Sequence, residues 1–357
     1  MTLKSAILSP SQGIWGGGQI YIESLSQFCA GSGGCVPIAT PEPQAFATDT
    51  LAIPRIDGRA RRLAASVLIA DRLKRCGIRR VLLNDLSALW LAPVFRARGL
   101  EVASLLHLHP EPKTGPGLGH TWLERSVLYA SSKACHRIFS VNRQNVDFFG
   151  NRVSFVGNYA PDEFFDYPVG QSSINRVYDL IFVARLAQQK APQTFIDIVA
   201  ELVRCRSAPV RALMIGDGPL SATMDASIRD SGLGDVIERL SWVDRDALPG
   251  FLDQAKCFVM TSLYEGFATT VIEAQARGLP VVTTETSGFC PEFVLGFGSE
   301  TGIVFDVEST DRGALCQSIS GLIDRSRTLA PSCREKARRF TRESVLASIR
   351  DWLLGLD

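Results

Sequence analysis

Side chains with chemistry are densest in SLYEGFATTVIEAQARGLPVV, from Ser262 to Val282. Glu265 and Glu273 stand eight residues apart, the first in a turn with Gly266, the second in a helical pattern that Gly278-Leu-Pro280 ends. Both carboxylates would sit beside a helix N-terminus, whose unpaired N–H groups and partial positive charge favour anions. Such a place takes a diphosphate, and carboxylates next to it can accept protons from sugar hydroxyls. A plainer reading exists for each. Thr270-Val-Ile-Glu273 spells a capping box that would only close the helix, and Glu265 alone is a solvated loop acid. Upstream, Arg185 follows the strand-like run ending Phe182-Val-Ala, with Lys190 five residues on. Taken alone, that pair is ordinary surface charge. Gly216, in Met214-Ile-Gly-Asp-Gly-Pro219, marks a tight turn with close backbone approach.

The first half has its own cluster. Gly16, Gly17 and Gly18 follow an opening strand and precede a helical pattern, and His107 and His109 end a strand in LLHLHPEP. A dinucleotide site does not fit: no G-x-G-x-x-G spacing occurs, and near residue 40 the proline-rich ATPEPQ replaces a clear second strand ending in an acid. Metal does not fit either. The H-x-H pair has no third ligand nearby, and in Asp244-Arg-Asp246 the last carboxylate reads as a helix N-cap.

Together these residues resemble the E-x7-E signature of the retaining glycosyltransferases of GT-B fold, in particular family 4 (glycosyl transferases group 1). The likeness spans the chain and is most specific over Phe182–Val282, including the Ser before the loop, E-G-F, E-A and G-x-P-V-V. It implies that Glu273 binds the nucleotide ribose and that Glu265 faces the donor sugar. Arg185 and Lys190 would neutralise the leaving diphosphate, which gains charge as the glycosidic bond breaks; preorganised cations there favour the transition state over the ground state. Gly266, Phe267, Ala268, Thr269 and Thr270 would line the donor with Gly216, and Gly16, Gly17 and Gly18 would let a helix approach its phosphate. Either His107 or His109 would stand by the sugar's reactive carbon. Where the family has P-N-G-V-D this chain reads Gly157-Asn-Tyr-Ala-Pro161, a departure from the pattern on which a donor contact there would rest.

The resemblance implies a metal-independent hexosyltransferase with front-face attack and no protein nucleophile. It would use a UDP- or GDP-sugar as substrate, no further cofactor, and a glycan or lipid-linked saccharide as acceptor, as in polysaccharide biosynthesis. The alternatives on the same fold are a sugar-nucleotide isomerase or epimerase, a phosphorylase, or a non-catalytic sugar-nucleotide-binding protein.

The elements that must position these residues form an α/β alternation in both halves. Strands are expected at Lys4–Leu8, Arg80–Asn84, Val102–His107, Arg137–Val141 and Val153–Val156, then at Tyr178–Ala184, Val210–Ile215, Phe258–Met260 and Pro280–Thr283. Helices are expected at Gln19–Ala30, Arg59–Cys76, His120–Ser131, Gln193–Arg204, Thr270–Arg277, Asp311–Arg325 and Pro331–Leu354. That alternation means two doubly wound parallel-sheet domains facing a cleft, with chemistry on loops after strands. The expected division is an acceptor-binding domain over residues 1–160, a linker over 161–175, a donor-binding domain over 176–340, and a terminal helix at 341–357 crossing back.

At 357 residues, 46% hydrophobic and 21% charged, the chain is long enough for two cored domains. A net charge of +1 and scattered aromatics argue against nucleic acid. Nine widely spaced cysteines without a C-x-x-C pair suit reduced thiols, and the short apolar start suits no signal peptide, so a cytoplasmic location is expected. Arg55–Arg80 holds nine Arg/Lys against two Asp. Leu63, Val67, Ala70 and Lys74 there fall on one helical face, an ordinary amphipathic pattern, with peripheral contact at the inner membrane face as the sharper reading.

Overall fold

The computed structural model describes residues 4–10, 17–43, 46–55, 62–107, 122–166, 175–265, 267–286, 288–298 and 300–356. The chain forms two compact units, residues 1–157 with 345–357, and residues 158–344.

The first unit is built on seven parallel strands: β1 (Lys4–Leu8), β2 (Ile38–Thr40), β3 (Thr50–Ala52), β4 (Ile78–Asn84), β5 (Glu101–Leu106), β6 (Arg137–Ser140) and β7 (Val153–Phe155). Their order is β3-β2-β1-β4-β5-β6-β7, with Ile7 opposite Leu82 and Leu83 opposite Ser104. Ala6-Ile-Leu8 and Val81-Leu-Leu83 are buried throughout, which is what strands covered by helices on both faces require. The helices are α1 (Gly17–Gly31), α2 (Arg62–Arg75), α3 (Leu86–Leu89), α4 (Ala92–Ala97), α5 (Trp122–Ser132) and α6 (Gln144–Phe149). On one face α2 packs on α4 and α4 on α5, over a core holding Ile69, Leu73, Phe95 and Leu128.

The second unit repeats the plan with six parallel strands, β8 (Tyr178–Val183), β9 (Ala212–Ile215), β10 (Ile237–Leu240), β11 (Ala255–Met260), β12 (Val281–Thr284) and β13 (Gly302–Phe305). Their order is β10-β9-β8-β11-β12-β13. Around them lie α7 (Pro192–Cys205), α8 (Ser221–Asp230), α9 (Leu248–Asp253), α10 (Thr269–Ala276), α11 (Cys290–Leu295), α12 (Arg312–Asp324) and α13 (Ser326–Ala337). Strand order reverses between β1 and β4 in one sheet and between β8 and β11 in the other, and such points open a crevice at the strands' carboxyl ends.

Several sequence expectations need correction. β2 does exist beside ATPEPQ; it is three residues long and ends where Pro41 removes a ladder donor. β3, β10 and β13 were not expected either; each has three or four residues, and in β10 Glu238 and Arg239 interrupt the apolar run. The single helix expected over Pro331–Leu354 is two, α13 and α14 (Arg342–Leu354), separated by a 3-10 turn at Arg338–Phe340. The Thr341 hydroxyl accepts the Ser344 N–H at 3.2 Å, restarting the helix as an N-cap does. On α2 the core face carries Ser66, Ile69, Ala70 and Leu73, while Leu63 and Lys74 are exposed.

The stretch expected as a linker begins inside the second unit. Phe164 is fully buried, and Arg277, paired with Asp253 at 2.8 Å, also donates to the carbonyls of Phe164 (3.4 Å) and Asp166 (3.1 Å). Residues 167–174 lie outside the described residues. At the far end α14 starts in the second unit, and from Val345 its residues belong to the first. There Ser5 donates to the Leu353 carbonyl, Arg80 to that of Trp352, and the Arg350 guanidinium lies 5.0 Å from the Phe28 ring. All nine cysteines are free, six of them buried. Among the described residues no helix is long and apolar enough to cross a membrane.

Candidate active site

In the second unit the reversal point lies between β8 and β11, and the loops leaving those strands carry the predicted residues. The loop after β8 runs through Arg185 and Lys190 to α7; the loop after β11 runs through Glu265 to α10. They are stitched together: Leu263 N–H donates to the Gln189 carbonyl (2.8 Å), and Gln189 Nε2 to that of Tyr264 (3.0 Å). The buried Thr261 hydroxyl lies 2.8 Å from the Lys190 carbonyl and 2.9 Å from that of Ala191, whose left-handed backbone (φ 42°) opens α7. On this frame the Lys190 ammonium donates to the Glu265 carboxylate. Arg185 is exposed and makes no ion pair among the described residues.

Beneath Arg185 the turn after β9 is pressed against its loop. A Cβ added to Gly216 (φ 145°) would meet the Ala184 carbonyl oxygen at 1.8 Å, and one on Gly218 (φ 157°) the Leu186 oxygen at 2.5 Å. The approach is fixed by Ala184 N–H to Ile215 O (3.1 Å) and Leu186 N–H to Asp217 O (2.9 Å). Gly216 thus acts through backbone shape.

Helix α10 begins at Thr269, with Ala268 as N-cap and no side chain closing it. Its first N–H groups, on Thr269 and Thr270, therefore have no acceptor within the helix. The capping box read from Thr270 to Glu273 is not formed, since Thr270 is already the second helical residue. Glu273 is buried and accepts instead from Arg245 Nη2 at 3.1 Å. Burial pushes its carboxyl up to about 7, against the pull of Arg245 and with a small push from Glu163. Asp246 is not a helix cap either. It lies in a 3-10 turn, Arg245–Ala247, and Ala247 caps α9. What that turn delivers is Arg245, which the sequence did not reveal because its strand, β10, had not been recognised. The Phe267 ring packs inward, stacked on Phe289 at 5.4 Å and 5.6 Å from Phe340.

In the first unit, Gly17 opens α1, and Gly18 lies against His107, whose ring carbon would be 3.4 Å from an added Cβ. His107 follows β5 and its Nε2 meets Asn84 Oδ1 at 2.9 Å, with the Tyr21 ring edge-on at 5.4 Å. Burial pushes the imidazole below its ordinary value, against an opposing pull from Asp85. An amide oxygen only accepts, so the neutral ring carries its proton on Nε2 and keeps Nδ1 as an acceptor. Asn84, whose amide reaches Ser9 Oγ at 3.5 Å, and Asp85, held at φ 73°, went unnoticed in the sequence. The Asn-Asp pair at a strand end was the available signal.

The structure therefore joins Lys190 to Glu265, sets Glu273 against Arg245, and sets Gly18 against His107. Gly16, His109 and Gly266 lie outside the described residues. Among the described residues no group of three or more His, Cys, Asp or Glu could hold a metal ion.

Residues 171–340 match the family model described as glycosyl transferases group 1. A 2-deoxystreptamine N-acetyl-D-glucosaminyltransferase of Niallia circulans is 27% identical over 171 residues, 48% of this chain and 38% of that protein. A GDP-mannose-dependent alpha-(1-6)-phosphatidylinositol monomannoside mannosyltransferase of Mycobacterium tuberculosis is 26% identical over 212 residues, 55% of this chain and 54% of that protein. The chain thus spans about half the length of these curated relatives or less. The Anabaena protein HepE, crystallised in complex with UDP, has a TM-score of 0.76 over 98% of this chain and 99% of its own, at 15% identity. That likeness is one of fold, the GT-B fold of two parallel sheets with flanking helices.

Proposed function

We propose that the chain, whose residues 171–340 match the family model of glycosyl transferases group 1, transfers a sugar from a nucleoside-diphosphate sugar to a saccharide or lipid-linked saccharide, with retention and without a metal ion. The observation that carries this reading is the reversal point of the second sheet, where Arg185, Lys190, Glu265 and the buried Glu273 stand on two stitched loops and the helix after them. Those are the groups the chemistry needs. A departing diphosphate gains negative charge, which a planar guanidinium and a compact ammonium stabilise as it develops. Open N–H groups at the start of α10 suit phosphate oxygens. Glu273, dry and stationary, suits a pair of ribose hydroxyls, with Arg245 yielding its place to them. Lys190, held by Glu265 while no donor is bound, would turn to the phosphate as Glu265 takes up a sugar hydroxyl. In this reading no protein nucleophile is needed, and Glu265 orients and stabilises.

The donor would carry UDP or GDP, the nucleotides named for HepE and for the mycobacterial mannosyltransferase. The isomerase and silent-binder alternatives are not favoured, since both named relatives are transferases. The test is a thermal-shift panel with UDP, GDP, ADP and NAD, followed by product analysis with the matching nucleotide sugar and saccharide acceptors. A shift with one nucleoside diphosphate and an α-linked product from an α-linked donor are expected. A shift with NAD alone, or with none, would overturn the reading.

A further inference from the structure

We propose that the outer face of the helical layer α2–α4–α5 in the first unit docks on an anionic lipid surface. A core helix turns its apolar arc inward. Helix α5 turns part of its own outward: Leu128 is buried, whereas Trp122 is 80% exposed, Leu123 64%, Val127 48% and Tyr129 44%. With Lys133 these residues occupy one arc of roughly 160° at 100° per residue. Indole and phenol rings with a lysine among aliphatic side chains form the composition of a membrane–water interface, where each ring keeps a polar edge in the headgroups. The Lys133 ammonium lies 4.9 Å from the Tyr129 ring, a cation carried directly on the apolar arc.

The neighbouring helices extend this surface. Exposed Arg96 of α4 donates to the Ala134 carbonyl at 3.2 Å, just past the end of α5. On α2, Leu68 is 57% exposed and the last turn brings Arg72 and Arg75. Charge selects the occupant. The near-neutral total conceals a split: residues 1–157 with 345–357 hold 19 Lys/Arg against 12 Asp/Glu, and residues 158–344 hold 19 against 25. The first unit is thus +7 and the second −6, so attraction to anionic headgroups falls on the unit that bears the apolar arc. The sequence pointed to Arg55–Arg80 alone; the insertable side chains are on α5. This inference stands apart from the transferase reading and is tested without activity.

The experiment is sedimentation of the full chain with vesicles of phosphatidylcholine alone or mixed with phosphatidylglycerol, at low and high salt. Binding to the mixed vesicles, weakened by salt, is expected. Trp122→Ser with Leu123→Ser should lower the partition coefficient about tenfold or more, and Arg96→Glu with Lys133→Glu should act likewise, both with wild-type circular dichroism. The two surface pairs guard against misfolding of either variant. Absence of binding by the wild type, or wild-type binding by both variants, overturns the proposal. So does a wild-type dimer that Trp122→Ser with Leu123→Ser dissociates, which would assign the face to self-association.

Discussion

Glu273 shows how much a single residue can give up for a ligand. A carboxyl whose folded value is about 7 binds protons that the unfolded chain, near 4.5, has already released. Its contribution to stability is therefore full below about pH 4.5 and is lost as pH rises to about 7, on the order of 3 kcal/mol. The second unit should melt at progressively lower temperature across that window. Glu273→Gln should flatten the trend, raise the melting temperature at pH 8, and weaken nucleotide binding; an unchanged nucleotide affinity would remove the ribose assignment. Lys190 and Glu265 make a different case, because each covers the other's charge. Lys190→Ala strands a nearly buried carboxylate, a loss of about 3–5 kcal/mol, and should lower kcat about 100- to 1,000-fold. The double variant Lys190→Met with Glu265→Gln should regain stability and stay inactive in the transfer assay. If it regained activity, the pair would be structural. Lys190, Glu265 and Glu273 were picked out by their resemblance to the E-x7-E signature and the cations before it; taken one by one they read as surface charge, loop acid and cap. Arg245 could not be picked out, because it meets Glu273 across 28 residues of chain and its turn follows β10, a strand the sequence did not announce.

At the scale of elements, legibility tracked length and burial. β4 and β8, long and apolar, declared themselves, and so did β9 and β12, short but buried throughout; β2 and β3, three residues each beside Pro41 and in a polar stretch, and β10, where Glu238 and Arg239 interrupt the apolar run, did not. The break between α13 and α14 was also missed. Phe340 continues an apolar pattern there but is spent on the cluster with Phe267 and Phe293, so pattern favoured one helix where packing made two. The turn after β9 is a case in which sequence and structure agree on the residue and the structure supplies its reason. With the Ala184 carbonyl 1.8 Å from any Cβ, Gly216→Ala must displace the strand end that carries Arg185. The expected cost is about 1–3 kcal/mol, with a larger proportional loss of kcat/KM than of stability. Urea melts and kinetics on the same preparation would check both. A fully active, stable Gly216→Ala would mean the turn relaxes without moving Arg185.

For the molecule as a whole, the two units have separate sheets and separate cores, so their stabilities should be separable. The first unit owns the chain's end. Leu346, Ile349, Trp352 and Leu353 of α14 are buried, and the Trp352 and Leu353 carbonyls are held by Arg80 and Ser5 across the foot of the first sheet. Trp352→Ala should cost about 3–5 kcal/mol, taken from the first unit although the helix is entered from the second. Nucleoside diphosphate, if it binds at Arg185, Lys190 and Glu273, should load the other side of the ledger, adding about 2.7 kcal/mol at a hundredfold excess over Kd. Calorimetry should then resolve two transitions: one lowered by Trp352→Ala and indifferent to nucleotide, the other raised by nucleotide and indifferent to the substitution. A single transition moved by both would mean that the cores, though separate in space, melt as one cooperative body. In that case the stability losses assigned above to Glu273 and Gly216 would be read from the whole chain's unfolding and not from the second unit alone.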